Sequence, residues 1–275
     1  MTEQLHEIKT LPLKESSMRV RKHIIRMAAR GGCYVGSALS CADILVFLYA
    51  GFLKISKETF REETRNYFFL SKGHAVPALY AVFAEIGLLD PERLEHHLGT
   101  DDSIYWHPNT SIPGVEFHAG SLGHILPVAA GVALDCAMRD LPNRVVALLG
   151  DGELNEGSVW ESLLVASARR LQNLIIVIDR NRFQANCATE ELIPLEPLAE
   201  KFLAFGAAVR TVDGHDFAAI EKVFRDIPFE KGKPNVVIAQ TVRGKGLPEL
   251  ENRADKWFCN YSEEEAERLV MKLRG

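Results

Sequence analysis

Hydrophobic residues along this chain switch repeatedly between two spacings. Within residues 17–30, Val20, Ile24, Ile25 and Met27 recur every three or four positions, which predicts a helix with one buried stripe. Gly31 and Gly32 end it. Ala42, Leu45, Val46, Leu48 and Tyr49 repeat that spacing in a second predicted helix over residues 40–53, with Ser40 as its cap. Residues 67–71 read as a short buried strand, 77–86 as the helix after it, and 122–138 as an alanine-rich helix able to pack closely. Three uninterrupted apolar runs then stand out as strands, at residues 144–150, 174–179 and 234–240. Between the first two, Val159, Trp160, Leu163, Leu164 and Leu171 return to helical spacing. A fourth strand at 207–212 and a helix at 216–227 extend the pattern. Ser262 and Glu265 form a capping-box signature for a last helix that buries Leu269, Val270 and Leu273.

Continuous apolar strands separated by amphipathic helices indicate parallel β-structure covered on both faces. The expected fold class is therefore α/β, a doubly wound parallel sheet with helices on both faces. No Pro-rich or Ser/Gly-rich linker interrupts it, so residues 1–275 read as one domain. Composition adds exclusions. With 47% hydrophobic and 25% charged residues, the chain is neither disordered nor of low complexity. A net charge of −5 offers no electrostatic reason to expect nucleic acid or an anionic membrane as partner. The apolar runs fall short of the roughly 20 residues that span a bilayer. The first seventeen residues lack an apolar core flanked by basic residues, so no secretory leader is expected. Five cysteines, odd in number and without a CxxC pair, suit a reducing cytoplasm.

Candidate chemistry lies where strands end, because open parallel sheets bind ligands beyond their carboxyl edges. The run at 144–150 leads into Gly150-Asp151-Gly152, and the run at 174–179 into Arg180-Asn181-Arg182-Phe183. Asp151 and Asn181 are 30 positions apart, the length of one strand–helix–strand crossover. One carboxylate and one amide are too few to cage a cation. They suit Mg²⁺, which keeps several sites for phosphate oxygens and water. The alternative is that Asp151 merely caps a turn, with Asn155 and Glu156 favouring the positive end of a helix.

The stretch Gly150 to Glu161, followed by Asn181-Arg-Phe-Gln184, resembles the thiamine diphosphate motif of the transketolases. Four further segments fall in that family's order: Cys41-Ala-Asp-Ile-Leu45, Leu70-Ser-Lys-Gly-His74, Pro113 to Gly123, and Thr241 to Gly246. The resemblance implies a thiamine diphosphate-binding fold of the pyrophosphate type. It implies that Asp151, Asn181 and the carbonyl of Phe183 hold Mg²⁺. Gly152 then brings a backbone N–H to a phosphate, Glu153 and Asn181 belong to the cofactor-binding set, and His74 and Gly120-Ser121-Leu122 line the cofactor. The implied catalytic set is His74, His107, Glu156 and Tyr34, with Glu156 near a subunit interface where the family passes protons. Without the resemblance, His74 reads as an ordinary turn residue after a strand.

Only the N-terminal part of a transketolase is covered. The carboxylate that protonates the cofactor's aminopyrimidine belongs to a pyrimidine-binding domain absent here. A C-terminal transketolase-like partner subunit is therefore implied, in an α2β2 heterotetramer. The sequence also departs from the family. Tyr34, in Cys33-Tyr-Val-Gly36, stands where transketolases carry a histidine, and Phe258 replaces the histidine of a Trp-His pair. His124 takes the place of a glutamine, whereas His107 in Trp106-His-Pro108 matches the family. Losing two imidazoles makes the pocket less hydrophilic, which favours a deoxy sugar, a less oxygenated ketone or a 2-oxo acid. The alternative is that Tyr34 or His124 rearranges the same contacts. Two rivals to a transketolase remain: a 2-oxo acid decarboxylating or acyl-transferring subunit, and a noncatalytic cofactor-binding scaffold. The Gly-Val-Glu to Gly-Ser-Leu-Gly segment and Asn155-Glu-Gly157 favour the transketolase branch. Intact Asp151 and Asn181 count against a scaffold.

Overall fold

Five of the apolar runs become parallel strands of one sheet. The computed structural model of the chain describes residues 10–274; most of the N-terminal stretch read for a leader, residues 1–9, lies outside the described residues. In chain order the strands are β1 (Tyr67–Leu70), β2 (Val145–Gly150), β3 (Leu174–Arg180), the two-residue strands β4 (Phe183–Gln184) and β5 (Cys187–Ala188), β6 (Ala208–Asp213) and β7 (Asn235–Gln240). The main sheet runs β1-β2-β3-β7-β6, and β4 with β5 makes a separate antiparallel hairpin. Register brings the carboxyl ends level: Gly150 lies opposite Asp179, and Asp179 opposite Ala239.

Alternate residues of each strand feed two cores, as the two-residue repeat of a strand requires. Val146, Leu148, Ile175 and Val177 pack with α1 (Thr10–Ala28), α2 (Val35–Phe47) and α3 (Val76–Glu85). Val145, Ala147, Leu149, Ile176 and Ile178 pack on the other face with α4 (Ile125–Met138) and α5 (Gly157–Ala168). The two faces confirm the doubly wound α/β reading. Two short helices that periodicity did not reveal, α6 (Thr189–Leu192) and α7 (Leu198–Ala204), connect β5 to β6. The last two are α8 (Phe217–Arg225), whose N-cap Asp216 accepts from Ala218 and Ala219 N–H, and α9 (Glu263–Lys272). The capping box of Ser262 and Glu265 is formed as expected, with Leu269 buried.

Three boundaries differ from the sequence reading. The first helix begins at Thr10, and Pro12 is tolerated because the first turn has no N–H bonds to lose. The second begins at Val35, not Ser40. Ser40 is no cap but a buried residue inside α2, with its hydroxyl donated to Asp179 Oδ2 at 2.6 Å. The helix expected from residue 122 starts at Ile125, because residues up to Gly123 form a turn with Gly123 at φ 80°. The continuous stretch Val35–Phe52, whose last turn widens to π geometry, is apolar enough to cross a membrane, yet 89% of it is buried within this fold.

Candidate cofactor and metal site

The chain leaving β3 folds back on the residue leaving β2. Asp151 is buried, and its Oδ2 accepts the Arg182 N–H at 2.6 Å and Arg180 Nη1 at 3.0 Å. Its Oδ1 accepts the Gly152 N–H at 2.9 Å, so that donor, expected at a phosphate, is held by the carboxylate here. Asn181 donates from Nδ2 to Asp179 Oδ2 at 3.1 Å, and its Oδ1 accepts the Phe183 N–H at 3.0 Å. The amide is thereby fixed in orientation, and Asp151, Asn181 and Phe183 are gathered by one turn. Burial first, then the charge of Asp179, raises the Asp151 pKa to about 6.

Beneath this turn lies a residue that the sequence reading passed over. Asp179 Oδ2 accepts from Lys72 Nζ, Ser40 Oγ and Asn181 Nδ2, and Oδ1 accepts from Thr241 Oγ1. Burial alone would raise its pKa, but Lys72 and these donors outweigh burial and lower it. Lys72 is itself almost wholly buried and also donates to the Ser37 carbonyl at 3.1 Å. A carboxylate straight after five apolar strand residues was the available signal, since such a group must find a partner.

His74 follows β1 in a tight turn, and its Nε2 shares a 2.9 Å hydrogen bond with Ser37 Oγ. Desolvation of the ring, then the charges of Lys72 and His107, pushes its pKa down to about 3. It is neutral at physiological pH, able to donate and accept. His107 is half-buried, with its pKa lowered by burial, and a Cβ on Gly120 would sit 3.5 Å from its ring. Gly120 and Ser121 are exposed and Leu122 half-buried beside it. Tyr34, the N-cap of α2, stands edge-on to His74 with ring centroids 5.5 Å apart.

Two further expected site residues, Glu153 and Glu156, follow β2. Glu153 is buried, and its carboxylate accepts from Ser71 Oγ, Gly123 N–H at 2.8 Å and Gly150 N–H at 3.2 Å. Its side chain supports the turn at residues 120–123 and offers no free carboxylate to a ligand. Glu156 is exposed at the start of α5, packed against Gly123.

Arg243 is another residue without a signal in the sequence. It is buried, donates from Nη1 to the Ala185 carbonyl at 2.6 Å, and lies over the Phe183 ring. Its Nε and Nη2 have no partner, an expensive state for a buried guanidinium and one that an anion would relieve. Gly152 makes room nearby, because a Cβ there would fall 2.7 Å from Gln184 Cβ. Among the described residues no three His, Cys, Asp or Glu side chains cluster as a metal cage. A carboxylate, an amide and a carbonyl beside an unsatisfied cation fit a hard ion bridged to phosphate.

Similarity to known proteins agrees with that chemistry. The family description "Transketolase, thiamine diphosphate binding domain" matches residues 23–273. The chain belongs to the transketolase family. It is 35% identical over 252 residues to one subunit of the apulose-4-phosphate transketolase of Phocaeicola vulgatus, covering 91% of this chain and 89% of that one. It is 33% identical over 273 residues to the 6-deoxy-6-sulfo-D-fructose transketolase subunit SqwG of a Clostridium species, covering 96% of each. The crystal structure of transketolase from Campylobacter jejuni superposes with a TM-score of 0.87 at 26% identity, covering 96% of this chain but 43% of that one. The chain is thus the N-terminal, thiamine diphosphate-binding part of a transketolase-type transferase, and spans less than half of that full-length transketolase.

Proposed function

We propose that this chain is the diphosphate-binding subunit of a two-chain enzyme, dependent on thiamine diphosphate and Mg²⁺, that moves a two-carbon unit from a ketone donor to an aldehyde acceptor. The observation that carries this reading is the convergence of Asp151, Asn181 and Phe183 beside a buried Arg243 with two unpartnered nitrogens. Asp151, Asn181 and the Phe183 carbonyl would hold the ion, and Gly152 N–H, Arg243 and His74 would face the diphosphate. When bound, the cofactor supplies the electron sink for cleaving a C–C bond beside a ketone. His74 contributes a neutral imidazole whose Nε2 is already oriented by Ser37. His107 offers a second half-buried imidazole, held close under Gly120.

A C-terminal partner carrying the pyrimidine-binding domain completes the site, in an α2β2 heterotetramer. Support comes from relatives whose names make them single subunits of a transketolase, and from the share of a full-length transketolase that this chain spans. Met138 of α4 and Leu164 and Val165 of α5, each more than half exposed, leave apolar surface on the helices of that face of the sheet. Free thiols at Cys33 and Cys259, paired across one backbone bridge, favour a cytoplasmic setting.

The substrate is taken to be less oxygenated than an ordinary sugar phosphate, because aromatic carbon occupies both positions where the family carries imidazole. One relative's name includes a deoxy sugar. A 2-oxo acid donor fits the same loss of imidazole. Co-expression with the neighbouring open reading frame, followed by a donor and acceptor screen read by product mass, tests all of this. Two-carbon transfer from a ketose supports the transketolase reading; decarboxylation of pyruvate alone replaces it. Turnover of xylulose 5-phosphate with ribose 5-phosphate at ordinary transketolase rates would end the altered-substrate reading.

A further inference from the structure

Arg180 is the largest side chain wholly buried among the described residues, and its charge is shared unevenly. Nη1 binds Asp151 Oδ2 at 3.0 Å and Thr189 Oγ1 at 2.7 Å. Nη2 binds Glu190 Oε1 at 2.8 Å and Glu196 Oε1 at 2.9 Å. The Asp151 side chain is 1% exposed, those of Glu190 and Glu196 35% and 50%. One guanidinium therefore spans an interior carboxylate and two surface ones.

The consequence for a cation follows from charge. Asp151 Oδ2 is taken by Arg180 and the Arg182 N–H, whereas Oδ1 accepts one N–H, that of Gly152, and keeps a lone pair for a metal. Asp179 is neutralised by Lys72, and Asn181 is uncharged. A free dication must shed water to reach a carboxylate that a guanidinium already compensates, and gains little. A diphosphate supplies the missing negative charge.

We propose that Arg180, tethered by Glu190 and Glu196, makes metal binding at Asp151 conditional on the diphosphate, so that ion and anion enter together and free Mg²⁺ leaves the site empty. This rests on the reading of Asp151 and Asn181 as metal ligands. By linkage, the factor by which the anion strengthens the ion equals the factor by which the ion strengthens the anion.

Calorimetry on the chain tests it, with Mg²⁺ alone, thiamine diphosphate alone, and each at saturation of the other. Mn²⁺ paramagnetic resonance gives a second count of bound ion, and inorganic pyrophosphate a second anion. We expect the ion to bind about 100-fold more tightly with the cofactor present than without it. Arg180→Met should tighten binding of Mg²⁺ alone and cut that ratio about tenfold. Glu190→Gln with Glu196→Gln, both at the surface, leaves Asp151 as the one carboxylate on Arg180 and should weaken binding of Mg²⁺ alone. A role limited to orienting Asp151 predicts instead weaker ion binding in Arg180→Met with the ratio unchanged. That result, a shift of both variants in one direction, or equal Mg²⁺ affinity with and without cofactor overturns the proposal. Binding of the cofactor with an unchanged ratio overturns this proposal and leaves the functional reading standing. If neither anion binds to the chain alone or co-expressed with the neighbouring open reading frame, the functional reading falls as well.

Discussion

Tyr34 and Phe258 meet edge-on, their ring centroids 5.4 Å apart, although 224 positions separate them in the chain. Trp257 lies 5.0 Å from Tyr34, and Trp106 lies 5.7 Å from Phe258, so four rings form one wall beside His74. A backbone bridge between Cys33 and Cys259 ties the two segments together. The two positions at which an aromatic ring is read in place of a family histidine are therefore in contact with one another.

Restoring imidazole should restore contacts to hydroxyl groups. Phe258→His is expected to raise the kcat/KM ratio of a hydroxylated over a deoxygenated substrate about three- to tenfold, the worth of one hydrogen bond. Because the rings touch, Tyr34→His and Phe258→His should not be additive. Steady-state kinetics of the assembled enzyme check both statements; an unchanged ratio would remove the wall from substrate selection.

Gly32 lies against that wall. Its φ is 93°, and a Cβ there would fall 2.5 Å from Phe258 Cζ. Gly32→Ala should cost about 2 kcal/mol or more, from backbone strain and overpacking together. In a Phe258→Ala background the cost should shrink, because the colliding ring is gone. Thermal denaturation of the four chains tests the cycle, and equal costs in both backgrounds would mean that strain alone acts.

The sheet was legible in the sequence because its strands are buried on both faces and read as unbroken apolar runs. Asp151 and Asn181 were legible because they follow those runs at crossover spacing. What escaped were groups whose role depends on three-dimensional pairing. Lys72, Asp179 and Arg180 look like ordinary charged residues until burial forces each to a partner. Ser40 fitted the profile of a cap and instead holds Asp179, a contact 139 residues away along the chain. Helices α6 and α7 are too short to show a period.

Asp151→Ala should abolish Mg²⁺-dependent retention of thiamine diphosphate while the fold persists. Burial already disfavours the charged carboxyl, and Arg180 keeps Glu190 and Glu196 as partners when it is removed. Calorimetry with cofactor and Mg²⁺, beside circular dichroism of the same sample, measures both. Binding of wild-type strength would refute Asp151 as a metal ligand.

His74 should govern part of the acid limb of stability. Its folded pKa is about 3 because of desolvation, then the charges of Lys72 and His107, against an ordinary 6.5 in the unfolded chain. Between those values the unfolded chain binds a proton that the folded chain refuses. Stability is therefore complete above about pH 6.5 and falls as pH drops toward 3, by at most about 1.4 kcal/mol per pH unit from this group. His74→Gln keeps a hydrogen-bond partner for Ser37 and has nothing to titrate. Its stability should consequently fall less steeply than that of the parent between about pH 6.5 and 4, with the curves parallel above that range. Urea midpoints at intervals of one pH unit read the difference. Parallel curves throughout would mean that the folded chain accepts the proton as readily as the unfolded one, and would remove the neutral imidazole from the proposed site.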